Sequence, residues 1–268
     1  MMELAKNKDL PALTELWHIC FGDDPADVEL FWQEMLCHLQ VYVDRERGKL
    51  VAMVCALPTF LVDESGETHT CAYFYAVCTH PDYRGRGICT RLLAYAEQNE
   101  ARSGMNFAAL VPEGPDKFDF YGKRGYRTCF YHKRYQVQAG GTAKIQRLEP
   151  EEYKRLRGLQ LYGGYLSYSW GILRWQDEMS RRGGAGLYRI ETEDVICAAA
   201  AERRGGRLIL KELLPDDPAA AAALAAHLDC PEAEVRSKDG DLPFGMLKAI
   251  RPTRTPLPTH GYLGLALD

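Results

Sequence analysis

The chain has 268 residues, which is enough for one large domain or two modest ones. Hydrophobic residues make up 46% and charged residues 26%, as in an ordinary globular protein. A formal net charge of -4 argues against a nucleic-acid-binding protein, which would carry a basic stripe.

The cysteines and the first residues define the expected compartment. Nine cysteines are scattered along the chain, and no two have the C-x-x-C spacing, so a disulfide scaffold is not expected. The N-terminus lacks a basic-then-apolar signal pattern, and no apolar run reaches membrane-spanning length. Seven dispersed histidines show no ligand spacing, so no metal is expected. We therefore expect a reduced, cytoplasmic protein that binds neither nucleic acid nor membranes.

The first half of the chain alternates between helical and strand periodicity. Leu10, Leu13 and Leu16 repeat with helical spacing over residues 9–20. Further helices are predicted at 26–39, from 88 onward and at 115–123. Strands are predicted at 41–43, 50–57, 70–79, 107–111 and 126–137.

The second half restarts at Gly140-Gly141, and this predicts two domains, 1–139 and 140–268. Helices are predicted at 149–161, in a segment ending at Arg182, and at 218–228. Strands are predicted at 186–191, 195–202, 207–214, 232–236, 244–250 and 262–267. This order is similar to that of the first half, so we expect a diverged internal duplication.

One segment has the pattern of an anion site, in which a strand leads through a glycine turn into a helix. Unpaired N–H groups and the dipole at a helix start attract negative charge, and glycines let a phosphate approach the backbone. The third glycine of a dinucleotide fingerprint and the G-K-[ST] of a P-loop are both missing. The segment reads Val77-Cys78-Thr79-His80-Pro81-Asp82-Tyr83-Arg84-Gly85-Arg86-Gly87-Ile88-Cys89-Thr90.

This segment resembles the coenzyme motif of the GNAT superfamily of N-acetyltransferases, [RQ]-x-x-G-x-[GA] after a strand and H-P-x-[YW]. Arg84 and Gly87 match, while Cys89 stands where the family prefers Gly or Ala. The resemblance implies an α/β (α+β) fold with a mixed central sheet flanked by helices. It also implies that acetyl-CoA binds as cosubstrate, with its pyrophosphate on the backbone of Gly85 to Thr90 and Arg84 and Arg86 adding charge. The pantetheine arm would lie along Val77, Cys78 and Thr79.

A second match lies downstream, where Phe120-Tyr121-Gly122-Lys123-Arg124-Gly125-Tyr126 resembles the family's F-Y-x-x-x-G-[FY]. The resemblance implies that Tyr121 protonates the departing thiolate. A phenol with an ordinary pKa of about 10 can donate a hydrogen bond to a thiolate whose parent pKa is about 8.5. Packing beside neighbouring aromatic rings is the alternative role for Tyr121. The resemblance covers roughly residues 2–137.

The whole chain resembles the tandem acetyltransferases of the enhanced-intracellular-survival (Eis) type, without their sterol-carrier-like domain. The second half would be a degenerate GNAT-like domain that closes the acceptor cleft. Its corresponding turn, Pro215-Asp216-Asp217-Pro218, offers no arginine–glycine cradle, so a second coenzyme site is not expected. The general base stays open between Glu113, the C-terminal carboxylate of Asp268 and water.

Several residues could have a structural role instead of a functional one. We expect Cys78 and Cys89 to be small buried hydrophobic residues rather than acyl carriers. His80 is expected to shape its turn. A group of aromatic residues either lines an acceptor pocket or packs between helices. This group comprises Tyr162, Tyr165, Tyr168, Trp170 and Trp175.

The expected function is acetyl transfer to a primary amine of a small molecule or peptide. Two alternatives from other classes stay open: a non-catalytic module that senses acyl-CoA, and a protein-interaction module built on the second half. The identity of the acceptor and the oligomeric state have no signature in the sequence.

Overall fold

The computed structural model describes residues 1–204 and 206–265, and the chain divides into two compact units. Unit 1 comprises Met1–Leu61, Thr68–Arg127 and Met246–Leu257. Unit 2 comprises Val62–Glu67, Thr128–Gly245 and the segment that begins at Pro258. No helix among the described residues is long and apolar enough to cross a membrane.

Unit 1 is a mixed sheet with helices. Its strands are β1 (Met2–Leu4), β2 (Gln40–Glu46), β3 (Lys49–Val62), β4 (Thr68–Thr79) and β5 (Phe107–Leu110). Its helices are α1 (Leu10–Phe21), α2 (Pro25–Met35), α3 (Ile88–Arg102) and α4 (Pro115–Gly122). The strand order is β1-β2-β3-β4-β5, and β4 and β5 are parallel.

The core of unit 1 is built on the apolar face of α3. Ile88, Leu92 and Ala96 recur at helical spacing and are all buried against Ala72 and Phe74 of β4. At the far end of the helix, the Tyr42 hydroxyl donates to Glu100 Oε1 at 2.9 Å, which satisfies a buried carboxylate. The position of α3 relative to the sheet is thereby fixed from its first turn to its last.

Unit 2 repeats this order of elements. Its strands are β6 (Arg127–Gln138), β7 (Lys144–Arg147), β8 (Tyr165–Tyr168), β9 (Gly186–Glu191), β10 (Ile196–Arg204), β11 (Arg207–Leu214) and β12 (Glu232–Ala249). Its helices are α5 (Pro150–Gln160), α6 (Trp170–Arg182) and α7 (Pro218–His227). The order β7-β9-β10-β11-β12 matches β1-β2-β3-β4-β5, with α5 and α6 in the place of α1 and α2 and α7 in the place of α3. The expected mixed sheet and the repeat of the fold are confirmed.

Strands β12 and β6 each pair with a strand that is distant in the sequence. The end of β12, residues Met246 to Ala249, pairs antiparallel with β5 inside unit 1. Strand β6 pairs with β12 and belongs to unit 2 except for its first residue. The predicted boundary at 139–140 lies just after β6, whereas the two units divide at its start.

Three strand predictions at the C-terminal end differ from the structure. The predicted strands 232–236 and 244–250 are one continuous strand, β12, despite the polar residues between them. Gly240 permits this, because a Cβ there would lie 2.3 Å from the Lys133 backbone nitrogen of β6. The predicted strand 262–267 is reduced to isolated bridges at Gly261 and Tyr262, and its last two residues lie outside the described range.

Unit 2 contains a buried ion pair. Arg157 on α5 donates from Nε to Glu212 Oε1 at 2.7 Å, and the two side chains are 4% and 0% exposed. The remaining guanidinium nitrogens donate to the backbone carbonyls of Leu166 and Leu263 at 3.0 and 3.4 Å. Tyr168 also donates to the Leu263 carbonyl, at 2.8 Å. One guanidinium therefore joins α5, β8, β11 and the segment after Gly261.

Replacing this guanidinium by an apolar side chain leaves Glu212 buried without its partner. We expect Arg157→Met to lower the free energy of unfolding of unit 2 by about 3–5 kcal/mol, measured by urea denaturation. Arg189→Met is the control, because its pair with Glu191 is about one-third exposed at both ends and should contribute less than about 1 kcal/mol. Equal losses in the two variants would contradict this assignment.

Candidate active site

The parallel strands β4 and β5 separate at one end. They pair only at three positions, from Cys71 opposite Phe107 to Tyr73 opposite Ala109. Beyond Tyr73, β4 continues for six residues to Thr79, while β5 ends at Leu110. The β5-facing backbone groups in the last part of β4 are therefore available to another molecule.

Ala76 causes an irregularity at this point in β4. Its φ of 49° lies in the left-handed region, which costs a residue with a Cβ about 1–2 kcal/mol. Regular alternation would place Ala72, Phe74 and Ala76 on one face, yet Val77 packs on the same cluster as Ala72 and Phe74. The side-chain alternation therefore shifts by one residue at Ala76, as in a β-bulge.

The turn after β4 is built by local hydrogen bonds. His80 accepts a hydrogen bond from the Asp82 N–H at Nδ1, at 3.2 Å, and begins a 3-10 turn over Pro81–Tyr83. The expected turn-shaping role of His80 is confirmed. Gly85 and Gly87 follow with φ of 75° and 71°, values that a residue with a Cβ rarely adopts.

The first turn of α3 has no side-chain cap. Gly87 occupies the N-cap position and has no side chain that could accept a hydrogen bond from the first N–H groups of the helix, at Ile88, Cys89 and Thr90. A Cβ at Gly85 would meet nothing within 4 Å, so this side of the turn is open. Within the described residues, the buried Thr79 hydroxyl also has no hydrogen-bond partner. These groups fit an anionic ligand.

The arginines of the turn donate hydrogen bonds to its backbone carbonyls. Arg84 Nε donates to the Thr79 carbonyl at 3.0 Å, and Arg86 donates to the Asp82 carbonyl, also at 3.0 Å. Arg91, one turn into α3, donates to the Arg86 carbonyl at 2.9 Å. Sequence reasoning did not identify Arg91. Its position four residues after Gly87, on the first turn of the helix, was the available signal.

Tyr121 lies on α4 and is 8% exposed. Its ring contacts Phe120 and Tyr126 edge-on, with centroids 5.1 and 5.8 Å apart. Burial is the main cause that raises the pKa of Tyr121, and the negative charge of Glu113 acts in the same direction. The phenol is thus protonated throughout the physiological range. The exposed Glu113 is close enough to Tyr121 to affect its pKa, whereas Asp268 lies outside the described residues.

Arg124 connects α4 to the start of α3 and was not identified as a site residue from the sequence. Its Nε donates to Thr90 Oγ1 at 3.0 Å, and its guanidinium also donates to the Phe120 carbonyl. The same guanidinium lies over the Phe120 ring, 3.4 Å from the centroid. Arg124 therefore fixes the helix that carries Tyr121 against the first turn of α3.

Cys78 and Cys89 have protonated thiols. Burial raises the pKa of both, and Cys78 is only 7% exposed. A neutral, buried thiol is a poor nucleophile, so these two residues have the properties expected of small apolar residues.

The equivalent position in unit 2 is closed. Pairing of β11 with β12 continues to Leu213 opposite Ser237, whose hydroxyl donates to the Leu213 carbonyl at 2.7 Å. Asp217 caps α7 by accepting from the Ala219 N–H at 2.9 Å. Asp216 accepts from Lys133 at 2.7 Å. A carboxylate of the chain itself therefore occupies the place where α3 is open.

The aromatic residues of the second half do not form one group. Tyr165 and Tyr168 line a cavity of about 160 Å³ in unit 2, together with Lys154. Trp175 is buried on α6, whereas Tyr162 is 64% exposed. Helix packing therefore occurs within this set, at Trp175, while lining of an acceptor pocket stays a prediction.

Residues 2–129 match the family model described as the acetyltransferase (GNAT) domain. The chain thus carries a GNAT acetyltransferase domain in its first half, and the splayed strands and open helix start described above lie within it. The comparison with curated proteins found no match.

Several solved structures share this fold over nearly the whole chain. A probable N-acyltransferase from Enterococcus faecalis V583 is 18% identical, with a TM-score of 0.72 over 93% of this chain and 72% of that one. Eis1 from Mycobacterium abscessus is 14% identical, with a TM-score of 0.66 over 93% and 74%. A tandem GNAT protein from the clavulanic acid biosynthesis pathway is 11% identical, with a TM-score of 0.59 over 94% and 100%. The expected tandem arrangement is confirmed at the level of the fold, which these structures share over both halves of the chain.

The strained backbone at Ala76 leads to a test of the bulge. Glycine removes the left-handed penalty of about 1–2 kcal/mol but loses about 0.5–1 kcal/mol of chain entropy. We expect Ala76→Gly to leave the free energy of unfolding of unit 1 unchanged or raise it by up to about 1 kcal/mol. Ala72→Gly, at a buried position with a negative φ on the same strand, should lower it by about 1 kcal/mol or more. Thermal or urea unfolding measures both, and an equal loss in both variants would argue against the bulge.

Proposed function

We propose that this protein transfers an acetyl group from acetyl-CoA directly to a primary amine of a small molecule or peptide. The observation that carries the proposal is the pairing of two features in one GNAT domain. Strand β4 (Thr68–Thr79) diverges from β5, and it leads through the Gly85–Gly87 turn into a helix whose start has no side-chain cap.

The coenzyme would bind along this path. A pyrophosphate is suited to the N–H groups from Gly85 to Thr90, because the helix start supplies donors and partial positive charge and the glycines allow close approach. The pantetheine amides would pair with the main chain of Val77, Cys78 and Thr79 beyond the point where β5 stops. The role of Arg84 is then to hold the end of this strand through the Thr79 carbonyl, in addition to its charge.

In the reaction, a neutral amine attacks the thioester carbonyl and forms a carbon–nitrogen bond. The carbon–sulfur bond breaks, and the sulfur takes its proton from Tyr121. The attacking nitrogen loses one proton as it becomes an amide, and Tyr121 regains a proton from the solvent, so that the protons balance. Main-chain N–H groups near the bulge at Ala76 would stabilise the oxyanion. The proton lost by the ammonium passes to Glu113, to the C-terminal carboxylate or to water. Holding both substrates in one orientation supplies much of the acceleration.

Unit 2 is proposed to bind no coenzyme. Its equivalent helix start is capped by Asp217, and the adjacent Asp216 adds a second carboxylate that would repel a phosphate. Its parallel strands also pair further than β4 and β5 do, and this leaves fewer free backbone groups for a pantetheine arm.

A survey with an amine panel would test the overall proposal. Release of free thiol from acetyl-CoA is measured with each amine, and an amine-dependent rate above the background of hydrolysis supports the transferase. Coenzyme binding without turnover on any amine would favour the sensing module instead.

The coenzyme turn can be tested with a negative charge placed at Gly87, the N-cap of α3. We expect Gly87→Glu to weaken CoA binding by about tenfold or more, a loss of about 1.4 kcal/mol, because a carboxylate would occupy and repel the phosphate position. Gly104→Glu is a matched control, since it has a left-handed φ of 99° and lies just beyond the other end of α3. Isothermal titration calorimetry measures both variants. Unchanged affinity in Gly87→Glu would remove the basis for the site.

The proton donor can be tested by removing one hydroxyl. We expect Tyr121→Phe to keep the fold and the CoA affinity, because the ring still packs on Phe120 and Tyr126. The kcat should fall by about 10²–10⁴-fold with KM for acetyl-CoA little changed, as for a group that acts in the transition state. Tyr126→Phe is the control, since it removes a buried hydroxyl next to the same ring. A kcat for Tyr121→Phe within about threefold of wild type, under about 1 kcal/mol, would make Tyr121 a packing residue.

A further inference from the structure

The cavity of about 160 Å³ in unit 2 lies beside α5, β8 and the start of α6. Tyr168 and Leu173, which are each 1% exposed, form its inner wall. Lys154, Tyr165 and Ser167 also line it and are partly exposed, so they lie at its rim. All of the described lining residues belong to unit 2. The cavity is therefore distinct from the proposed coenzyme path, whose residues belong to unit 1.

Lys154 brings a positive charge to the rim. Its Nζ lies 5.6 Å from the centroid of the Trp170 ring, which holds the ammonium by a cation–π contact. Within the described part of the chain, no carboxylate pairs with it. Burial lowers the pKa of Lys154, and the positive charge of Arg157 lowers it further. An anion bound beside the ammonium would oppose both effects and would itself be stabilised.

Two hydroxyl groups at the rim are available to the same ligand. The hydroxyls of Tyr165 and Ser167 have no hydrogen-bond partner among the described residues. The Tyr168 hydroxyl differs, since it donates to a backbone carbonyl at 2.8 Å. The rim thus combines one ammonium with two hydroxyls that can donate to a carboxylate.

The first turn of α6 adds partial positive charge on this side of unit 2. Tyr168 precedes this turn and Leu173 follows it, and both line the cavity. Ser169 occupies the N-cap position without a side-chain cap hydrogen bond, and in the described structure its buried hydroxyl has no partner. The unpaired N–H groups of such a helix start favour a negative charge nearby. This feature and Lys154 therefore select the same sign of ligand charge.

The charge and the volume of the cavity limit the ligand further. Arg157 also lines the cavity, but its charge is balanced by Glu212, and no acidic residue is among the described lining residues. One unbalanced positive charge suits a monoanion better than a phosphate dianion. Leu161 and Leu173 offer apolar contacts. A dry cavity of about 150 Å³ can hold a benzene ring, so a body of about six carbons fits.

We propose that this cavity is a binding site for a small monocarboxylate with an apolar body. The carboxylate accepts hydrogen bonds from the Lys154 ammonium and from the hydroxyls of Tyr165 and Ser167 at the rim. The apolar body lies against Tyr168 and Leu173, where its burial releases water from both surfaces. The site does not rest on the proposed acetyl transfer, because it needs neither the coenzyme nor the residues of unit 1.

The proposal is tested by calorimetric titration of the full chain with benzoate, and with benzamide as a neutral probe of the same shape. We expect wild type to bind one benzoate per chain and to bind benzamide at least about tenfold more weakly. Lys154→Gln should weaken benzoate binding by about tenfold or more and leave benzamide binding within about threefold of wild type. Arg155→Gln is the matched control, because it removes the same charge from an exposed position on the same helix. It should bind benzoate as wild type does.

The rim hydroxyls provide a second test that leaves all charges in place. We expect Tyr165→Phe and Ser167→Ala each to weaken benzoate binding by about threefold or more, with unchanged unfolding curves in urea. Absence of benzoate binding to folded wild type would overturn the proposal. Equal benzoate affinities in Lys154→Gln and Arg155→Gln would also overturn it, since binding would then be adventitious. Loss of acetyl transfer or of CoA binding would bear only on the proposed function, because the benzoate titration uses neither.

Discussion

The left-handed backbone of Ala76 is the constraint on which the candidate site depends. It interrupts β4 just beyond the last pair with β5, at Tyr73 and Ala109, and so coincides with the opening between two parallel strands. It also shifts the side-chain alternation of the residues that follow, so that Val77 packs on the α3 core. An alanine held at a φ of 49° persists only where the surrounding packing stabilises it by more than the local penalty. That packing comes from the aromatic contacts of α1 and α2 on one face and the α3 core on the other.

A comparison of the two units shows the effect of the irregularity at Ala76. The units share a fold, but they differ at the end of the parallel strand pair. In unit 1 the parallel pair separates and leads to an uncapped helix. In unit 2 the pair stays closed to Leu213 and Ser237, and Asp217 caps the helix that follows. The same order of strands and helices therefore gives a helix start without a side-chain cap in one unit and a helix start capped by a carboxylate in the other. A few backbone dihedrals and one carboxylate determine this difference, while the fold itself is unchanged.

The sequence predicted most elements of both units because their periodicity is strong. The helix from Ile88 and the strand ending at Thr79 lie where the pattern placed them, and glycines with a left-handed backbone form the intervening turn. The shift at Ala76 could not be predicted, since alanine carries no signal for a positive φ. The continuous strand β12 was also missed, because a run of Asp, Gly and Pro is typical of a turn and only the close approach of β6 at Gly240 explains it.

The residues that position the site were predicted less well than the residues that would touch the coenzyme. Contacts with a ligand leave a motif at fixed spacing, as at Arg84 to Gly87, whereas supporting contacts join distant parts of the chain. Arg124, for example, donates to Thr90 across 34 residues. Such pairs are determined by how α3 and α4 pack on the sheet, and packing has no period in the sequence. The geometry of the site therefore follows from the tertiary structure, while its chemical type is already encoded in the local motif.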